Sequence, residues 1–160
     1  MTKKVLFYAV ILLALTAFNA SAQQAATVDI KPGSCENPVN VKSKGIVTVA
    51  VLGSADLEAA DVAASTQFSL QTPDGISITP VRYSIEDVAT AGVCDEETPD
   101  GYADIILKFR TQQLAAALGP VARGDVVELT LVGTANDEVV LSGSDKILIK
   151  KKKVKVVAAE

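Results

Sequence analysis

Short segments in which apolar and polar residues alternate follow one another along the chain from residue 27 to residue 149. Alternation with a period of two is typical of strands that bury one face. The predicted strands cover residues 27–30, 46–52, 67–71, 76–79, 81–88, 104–110, 126–132, 138–141 and 146–149. The segment 46–52 (IVTVAVL) is β-branched and almost continuously apolar, which predicts a central strand with one end covered on both faces.

Turn residues separate these segments and limit the choice of fold. Pro32-Gly33, Thr72–Gly75 and Ser142–Asp145 are predicted turns. Residues 55–65 predict a short helix or a crossing loop, and residues 112–118 predict two helical turns that stop at Gly119-Pro120. Parallel β/α architecture needs more helix than this. The pattern therefore predicts an all-β, immunoglobulin-like antiparallel sandwich with one or two short helices in its connections, and a barrel is the alternative.

The N-terminus has the three parts of a secretory signal peptide. Lys3 and Lys4 precede an apolar run from Val5 to Phe18, and Ala20 and Ala22 form an A-x-A cleavage site. We therefore predict that residues 1–22 are removed, that residues 23–149 form the sandwich and that the mature protein has no membrane span. The alternative is an uncleaved N-terminal anchor. The expected location is extracellular or periplasmic.

The net charge limits the classes of partner, and the cysteine count predicts a disulfide. The net charge is −4, and it falls to about −6 without the two lysines of the signal peptide, which argues against nucleic acid as a partner. Cys35 and Cys94 both lie in the mature region, and an even cysteine count behind a signal peptide predicts one disulfide. Residues 150–160 begin with a lysine-rich run, which predicts a basic tail or an edge-strand extension whose lysines prevent aggregation.

Several short motifs occur together in this chain. They are V-D-I-K-P-G-S at 28–34, Asn37 and Asn40, K-S-K-G at 42–45, V-A-V-L-G at 49–53, E-D-V at 86–88 and K-F-R-T-Q at 108–112. As a set they resemble an uncharacterised β-domain of bacterial and archaeal secreted and surface proteins. The resemblance covers residues 28–149 and implies an extracytoplasmic β-domain without an assigned activity.

The resemblance also implies an acidic loop similar to calcium loops, and calcium is the candidate cofactor. Asp87, Asp100 and Asp104 are the candidate ligands, and Glu86 and Asp95 are further candidates, because calcium takes six to eight oxygen ligands. Residues 89–99 interrupt the expected contiguous pattern, so these carboxylates converge only if that insertion bulges outward. The alternative is an acidic surface loop held by the Cys35–Cys94 disulfide.

The amino-acid composition gives little support for a catalytic function. The chain contains no histidine, which removes the usual Ser-His and Cys-His pairs. We therefore predict a non-catalytic structural or binding module whose partner is a protein or an extracellular polymer, with self-association included. A carbohydrate-binding module is the alternative, for which only Tyr83, Tyr102 and Phe109 could supply stacking aromatics. A hydrolase that uses two carboxylates ranks third.

Overall fold

The computed structural model describes residues 23–89 and 99–150, and the structural statements below refer to this part of the chain. It contains strands and two short helices in the following order: β1 (Gln24–Ala25), β2 (Val28–Ile30), β3 (Pro38–Asn40), β4 (Ile46–Val51), α1 (Ala59–Ser65), β5 (Gln67–Gln71), β6 (Ser77–Ile78), β7 (Arg82–Glu86), β8 (Asp104–Arg110), α2 (Thr111–Leu118), β9 (Val126–Ala135) and β10 (Glu138–Lys150).

The strands form two sheets that enclose one apolar core. The six-stranded sheet has the order β1-β10-β9-β5-β6, with β3 also paired to β10, and the four-stranded sheet has the order β2-β4-β8-β7. Among the strand pairs of the described residues, only those of β1 and β3 with β10 are parallel. The core takes side chains such as Leu70 and Leu131 from the first sheet and Val49 and Leu107 from the second. The predicted all-β sandwich with two short helices is thus confirmed at this level.

The central strand β4 behaves as its sequence predicts. Val47, Val49 and Val51 face the main core, because alternate residues of a strand share a face. Towards the end of β4 the opposite face is buried as well, where Ala50 and the following Leu52 pack in a second small cluster with Ala89 and Ile106.

The predicted turn at residues 142–145 is wrong, because these residues lie inside the long strand β10. The chain reverses earlier, at Asn136 and Asp137, whose φ values of 52° and 65° are those that a two-residue hairpin turn requires. Residues 142–145 then pair with β9, and the Ser144 and Thr130 hydroxyls are hydrogen-bonded at 2.8 Å.

Two strands that the sequence did not predict, β1 and β3, lie along β10. The N-terminal segment pairs with β10 in one sheet as β1 and then enters the other sheet as β2. At the crossing, the Ala26 N–H donates to the Ser142 carbonyl at 2.8 Å. A Cβ on Gly143 would lie 2.2 Å from the Ala26 carbonyl oxygen, so this crossing requires glycine.

The remaining sequence predictions concern two chain reversals, a membrane span and the two ends of the chain. The turn at Thr72–Gly75 is present, with Gly75 at a φ of 79°, and Gly119 follows the last residue of α2. Within the described residues no helix combines the length and the apolar character that a membrane crossing needs. The predicted signal peptide (1–22) and most of the basic tail (151–160) lie outside the described residues, so these remain predictions.

Candidate functional site

The acidic segment between β7 and β8 is closed at its base by Asp87. Its carboxylate accepts the N–H of Asp100 at 3.0 Å and that of Gly101 at 2.8 Å. The Asp100 carboxylate in turn accepts the Tyr102 N–H at 3.0 Å, which forms a local turn. Asp87 and Asp100, which flank the insertion at residues 89–99, are therefore held close to each other.

Asp104 joins the same region from the start of β8. It is fully buried on the outer face of the four-stranded sheet, whereas its neighbour Ile105 lies on the core-facing side. One carboxylate oxygen accepts the Gly53 N–H at 2.8 Å, and the other accepts the N–H groups of Val88 and Ala89 at 2.9 and 3.1 Å. This carboxylate supplies acceptors to backbone donors that the sheet leaves unpaired.

The three predicted calcium ligands thus lie in one region, and each accepts backbone N–H groups there. Glu86, a further candidate, accepts the Ser84 hydroxyl at 2.6 Å, and Asp95 lies outside the described residues. Across residues 23–89 and 99–150, no three His, Cys, Asp or Glu side chains are grouped as a metal site would require. Calcium binding by this segment remains a prediction.

The predicted disulfide concerns the same segment. Cys35 is exposed in the loop between β2 and β3, and Cys94 lies outside the described residues, so the Cys35–Cys94 pairing remains a prediction.

A second polar cluster, which the sequence analysis missed, lies where β2 approaches β10. One oxygen of the Asp145 carboxylate accepts the Ile30 N–H and the Asn37 side-chain amide, both at 2.8 Å. The same amide donates to the Lys146 carbonyl at 2.9 Å. Asn37 is buried and holds the β2–β3 loop against β10.

Asp29 lies next to this cluster, on the outer face of β2. Its pKa is raised from 3.8 to about 6, first by burial and then by the negative charges of Asp145 and Asp104. Burial disfavours an ionised carboxyl group, and like charges add to the effect. Nothing in the local sequence could reveal this, because the two neighbouring charges come from β10 and β8.

The apolar surface at the edge strand β7 is the third feature. Val81, Tyr83 and Ile85 lie on the face of the sheet that β8 uses for core residues, since Tyr83 pairs with Leu107 and Ile85 with Ile105. These three side chains are nevertheless 43%, 55% and 40% exposed. The four-stranded sheet therefore extends one strand beyond the region that the opposite sheet covers. We call residues 81–86 the β7 edge.

The three aromatic residues considered for sugar stacking differ in their exposure. Phe109 is fully buried in the core, whereas Tyr83 and Tyr102 are exposed. Tyr83 lies in β7 opposite Leu107, and Tyr102 lies in the bend before β8 begins at Asp104. One of the three is thus inaccessible, and the other two lie on different elements.

Two depressions are present on the surface of the described residues. One, of about 250 Å³, lies on the outer face of the four-stranded sheet, and Glu86 is the only carboxylate among its described lining residues. There the Lys108 ammonium donates to the Thr48 hydroxyl at 3.1 Å. The other, between β6 and α2, has no carboxylate among its described lining residues. Neither depression supplies, from the described residues, the paired carboxylates that glycoside hydrolysis requires.

Comparison with known proteins adds no further constraint on this chain. No family model matches it, and neither a curated protein nor a solved structure does. The family resemblance drawn from the sequence motifs therefore remains a prediction.

Proposed function

We propose that this protein is a secreted, non-catalytic structural or binding module of the cell surface or extracellular matrix, and that its partner docks at the β7 edge. The proposal includes an immunoglobulin-like type of sandwich, which is supported by two stacked sheets with mainly antiparallel pairing. Secretion is supported by the signal-peptide pattern at residues 1–22.

The observation that carries the proposal is the exposure of apolar side chains at the β7 edge. Val81, Tyr83 and Ile85 project from the core-facing side of the sheet, yet between 40% and 55% of each remains exposed. Edge strands with such side chains are normally covered or interrupted by charges, because their backbone groups can pair with another chain. Apolar contacts grouped on an edge are a common basis of protein recognition.

Other classes of function have weaker support. A carbohydrate-binding module is the second candidate, and its main requirement is an aromatic platform, for which Tyr83 and Tyr102 are the only exposed aromatic side chains among the described residues. A hydrolase is the third, and it lacks histidine chemistry altogether. The β7 edge therefore favours a partner that supplies a strand or an apolar surface over one that supplies a sugar ring.

The proposal is tested by cosedimentation with the washed envelope and extracellular matrix of the producing cells. The protein, expressed from its full 160-residue sequence, is expected to sediment with this fraction. The variant Tyr83→Ser/Ile85→Ser is expected to stay in the supernatant, and Val126→Ser, altered at an exposed valine outside the β7 edge, is expected to sediment normally. Failure of the unaltered protein to sediment, or equal sedimentation of the β7 variant, would contradict the proposal.

Calcium stabilisation is a separate part of the proposal, with its own test. Thermal unfolding is compared in EGTA and in millimolar calcium. A ligand that binds only the folded state at 100 times its Kd adds ~2.7 kcal/mol, which raises Tm by several degrees. The increase should disappear in Asp100→Ala/Asp104→Ala. An unchanged Tm would restrict Asp87, Asp100 and Asp104 to their bonds with the backbone.

A further inference from the structure

We propose that the partner at the β7 edge is a second copy of this chain, which joins by antiparallel strand addition centred on Ser84. This inference rests on the proposed function, since it assumes that the β7 edge is the binding surface. It follows from the order of charges and apolar side chains along β7, which is complementary to itself.

Charge fixes the direction of pairing. An antiparallel pair with Ser84 opposite Ser84 places Arg82 of each copy opposite Glu86 of the other, and both side chains are exposed. Opposite charges facing each other across two strands stabilise the pair, and like charges destabilise it. Parallel pairing in the same register would place Arg82 opposite Arg82 and Glu86 opposite Glu86. The sequence of β7 therefore favours the symmetric antiparallel arrangement.

The apolar side chains agree with the same register. Tyr83 of one copy lies opposite Ile85 of the other on the core-facing side of the joined sheet. An aromatic residue opposite a β-branched residue is a favourable cross-strand pair. In this register Tyr83 and Ile85 of the two copies form two apolar pairs, and Val81 of each copy lies beyond them, opposite Asp87 of the other.

The β7 edge is also the described edge best suited to this pairing. Its strand, β7, is five residues long, and residues 81–86 contain neither lysine nor proline, two residue types that often protect such edges. At the opposite edge of the same sheet, the Ile30 N–H of β2 already donates to the Asp145 carboxylate. In the six-stranded sheet, the edge strand β6 has only two residues.

The charge reversal of β7 tests the register directly. Sedimentation velocity of the purified protein over a range of concentrations should show a dimer. Arg82→Glu and Glu86→Arg should each weaken association roughly tenfold, because each places two like-charged pairs across the interface. The double variant Arg82→Glu/Glu86→Arg should restore it. Arg123→Glu, at an exposed arginine of another turn, should leave association unchanged.

A cysteine at the symmetry centre provides the second measurement. Ser84→Cys should give a covalent dimer on mild oxidation, because the two Cα atoms lie within disulfide reach across an antiparallel pair. Ser144→Cys, at an exposed serine of β10, should not. A protein that is monomeric at all concentrations tested, or a double variant that stays as weak as the single ones, would overturn the inference.

These results separate the inference from the proposed function. A monomer whose sedimentation with the envelope fraction still depends on Tyr83 and Ile85 overturns self-association and leaves the proposed function in place. A β7-dependent dimer that does not bind the envelope fraction supports the inference and overturns the cell-surface role.

Discussion

Replacement of Asp29 by asparagine is expected to stabilise the protein at neutral pH. Burial, together with the charges of Asp145 and Asp104, raises the pKa of the Asp29 carboxyl from 3.8 to about 6. The folded protein therefore binds this proton more tightly than the unfolded chain does. Consequently the stability associated with Asp29 is greatest below about pH 4 and decreases as the pH rises through about 6.

The magnitude follows from the two pKa values. A rise from 3.8 to about 6 corresponds to roughly 3 kcal/mol of unfolding free energy at pH 7. Asp29 is only partly buried, so solvent reduces the effect, and we expect about 1–2 kcal/mol. An asparagine side chain has nearly the same shape as the aspartate and carries no charge, so the substitution should recover this amount above pH 6 and progressively less below it.

Urea unfolding at several pH values measures the effect. The variant Asp29→Asn should be more stable than the unaltered protein at about pH 7.5, and its advantage should have largely disappeared by about pH 4. Asp74→Asn, which removes one exposed carboxylate from the turn after β5, controls for the change in net charge. The reasoning is refuted if Asp29→Asn destabilises the protein at pH 7.5, or if its advantage is the same at both pH values.

Two further substitutions and one chemical reduction test the fold. Asp104→Ala leaves three backbone N–H groups without their acceptor and should cost at least about 3 kcal/mol in urea unfolding, so a loss below about 1 kcal/mol would contradict the assigned bonds. Gly143→Ala should cost about 2 kcal/mol or more, whereas Gly45→Ala, which meets only a flexible serine hydroxyl, should cost less than about 1 kcal/mol. Reduction of the predicted Cys35–Cys94 disulfide closing a loop of about 60 residues should lower stability by up to ~4 kcal/mol, and an unchanged Tm in dithiothreitol would argue against the bridge.

The strands with a clear alternation of apolar and polar residues could be predicted from the sequence. β8 and β5 begin and end where the alternation does, and β4 is central as its β-branched composition indicates. Pairing between distant parts of the chain explains why the turn at residues 142–145 was wrong and why β1 and β3 were not predicted. Residues 142–145 resemble a turn, but β9 and the crossing N-terminal segment pair with them and keep them extended. β1 and β3 have no distinct pattern of their own, because β10 organises both.

Some features of the candidate sites could be predicted from the sequence, and others depend on distant parts of the chain. The approach of Asp87 to the backbone of Asp100 could be anticipated, because the two residues flank one insertion between consecutive strands. The cluster around Asp145 could not, since Ile30 and Asn37 precede it by more than 100 residues. The exposure of Tyr83 was equally hidden, because its alternation with Ser84 is that of an ordinary half-buried strand. Only the extent of the opposite sheet leaves it uncovered.

Four aspartates have a structural role in the fold. Asp87, Asp104, Asp125 and Asp145 each accept backbone N–H groups at places where strands end or turn. A buried or half-buried N–H without an acceptor is costly, and a carboxylate supplies a strong one. These hydrogen bonds explain the positions of the four aspartates in the fold. The exposed apolar side chains of the β7 edge have no such explanation within the described part of a single copy, and a partner that covers them would provide one.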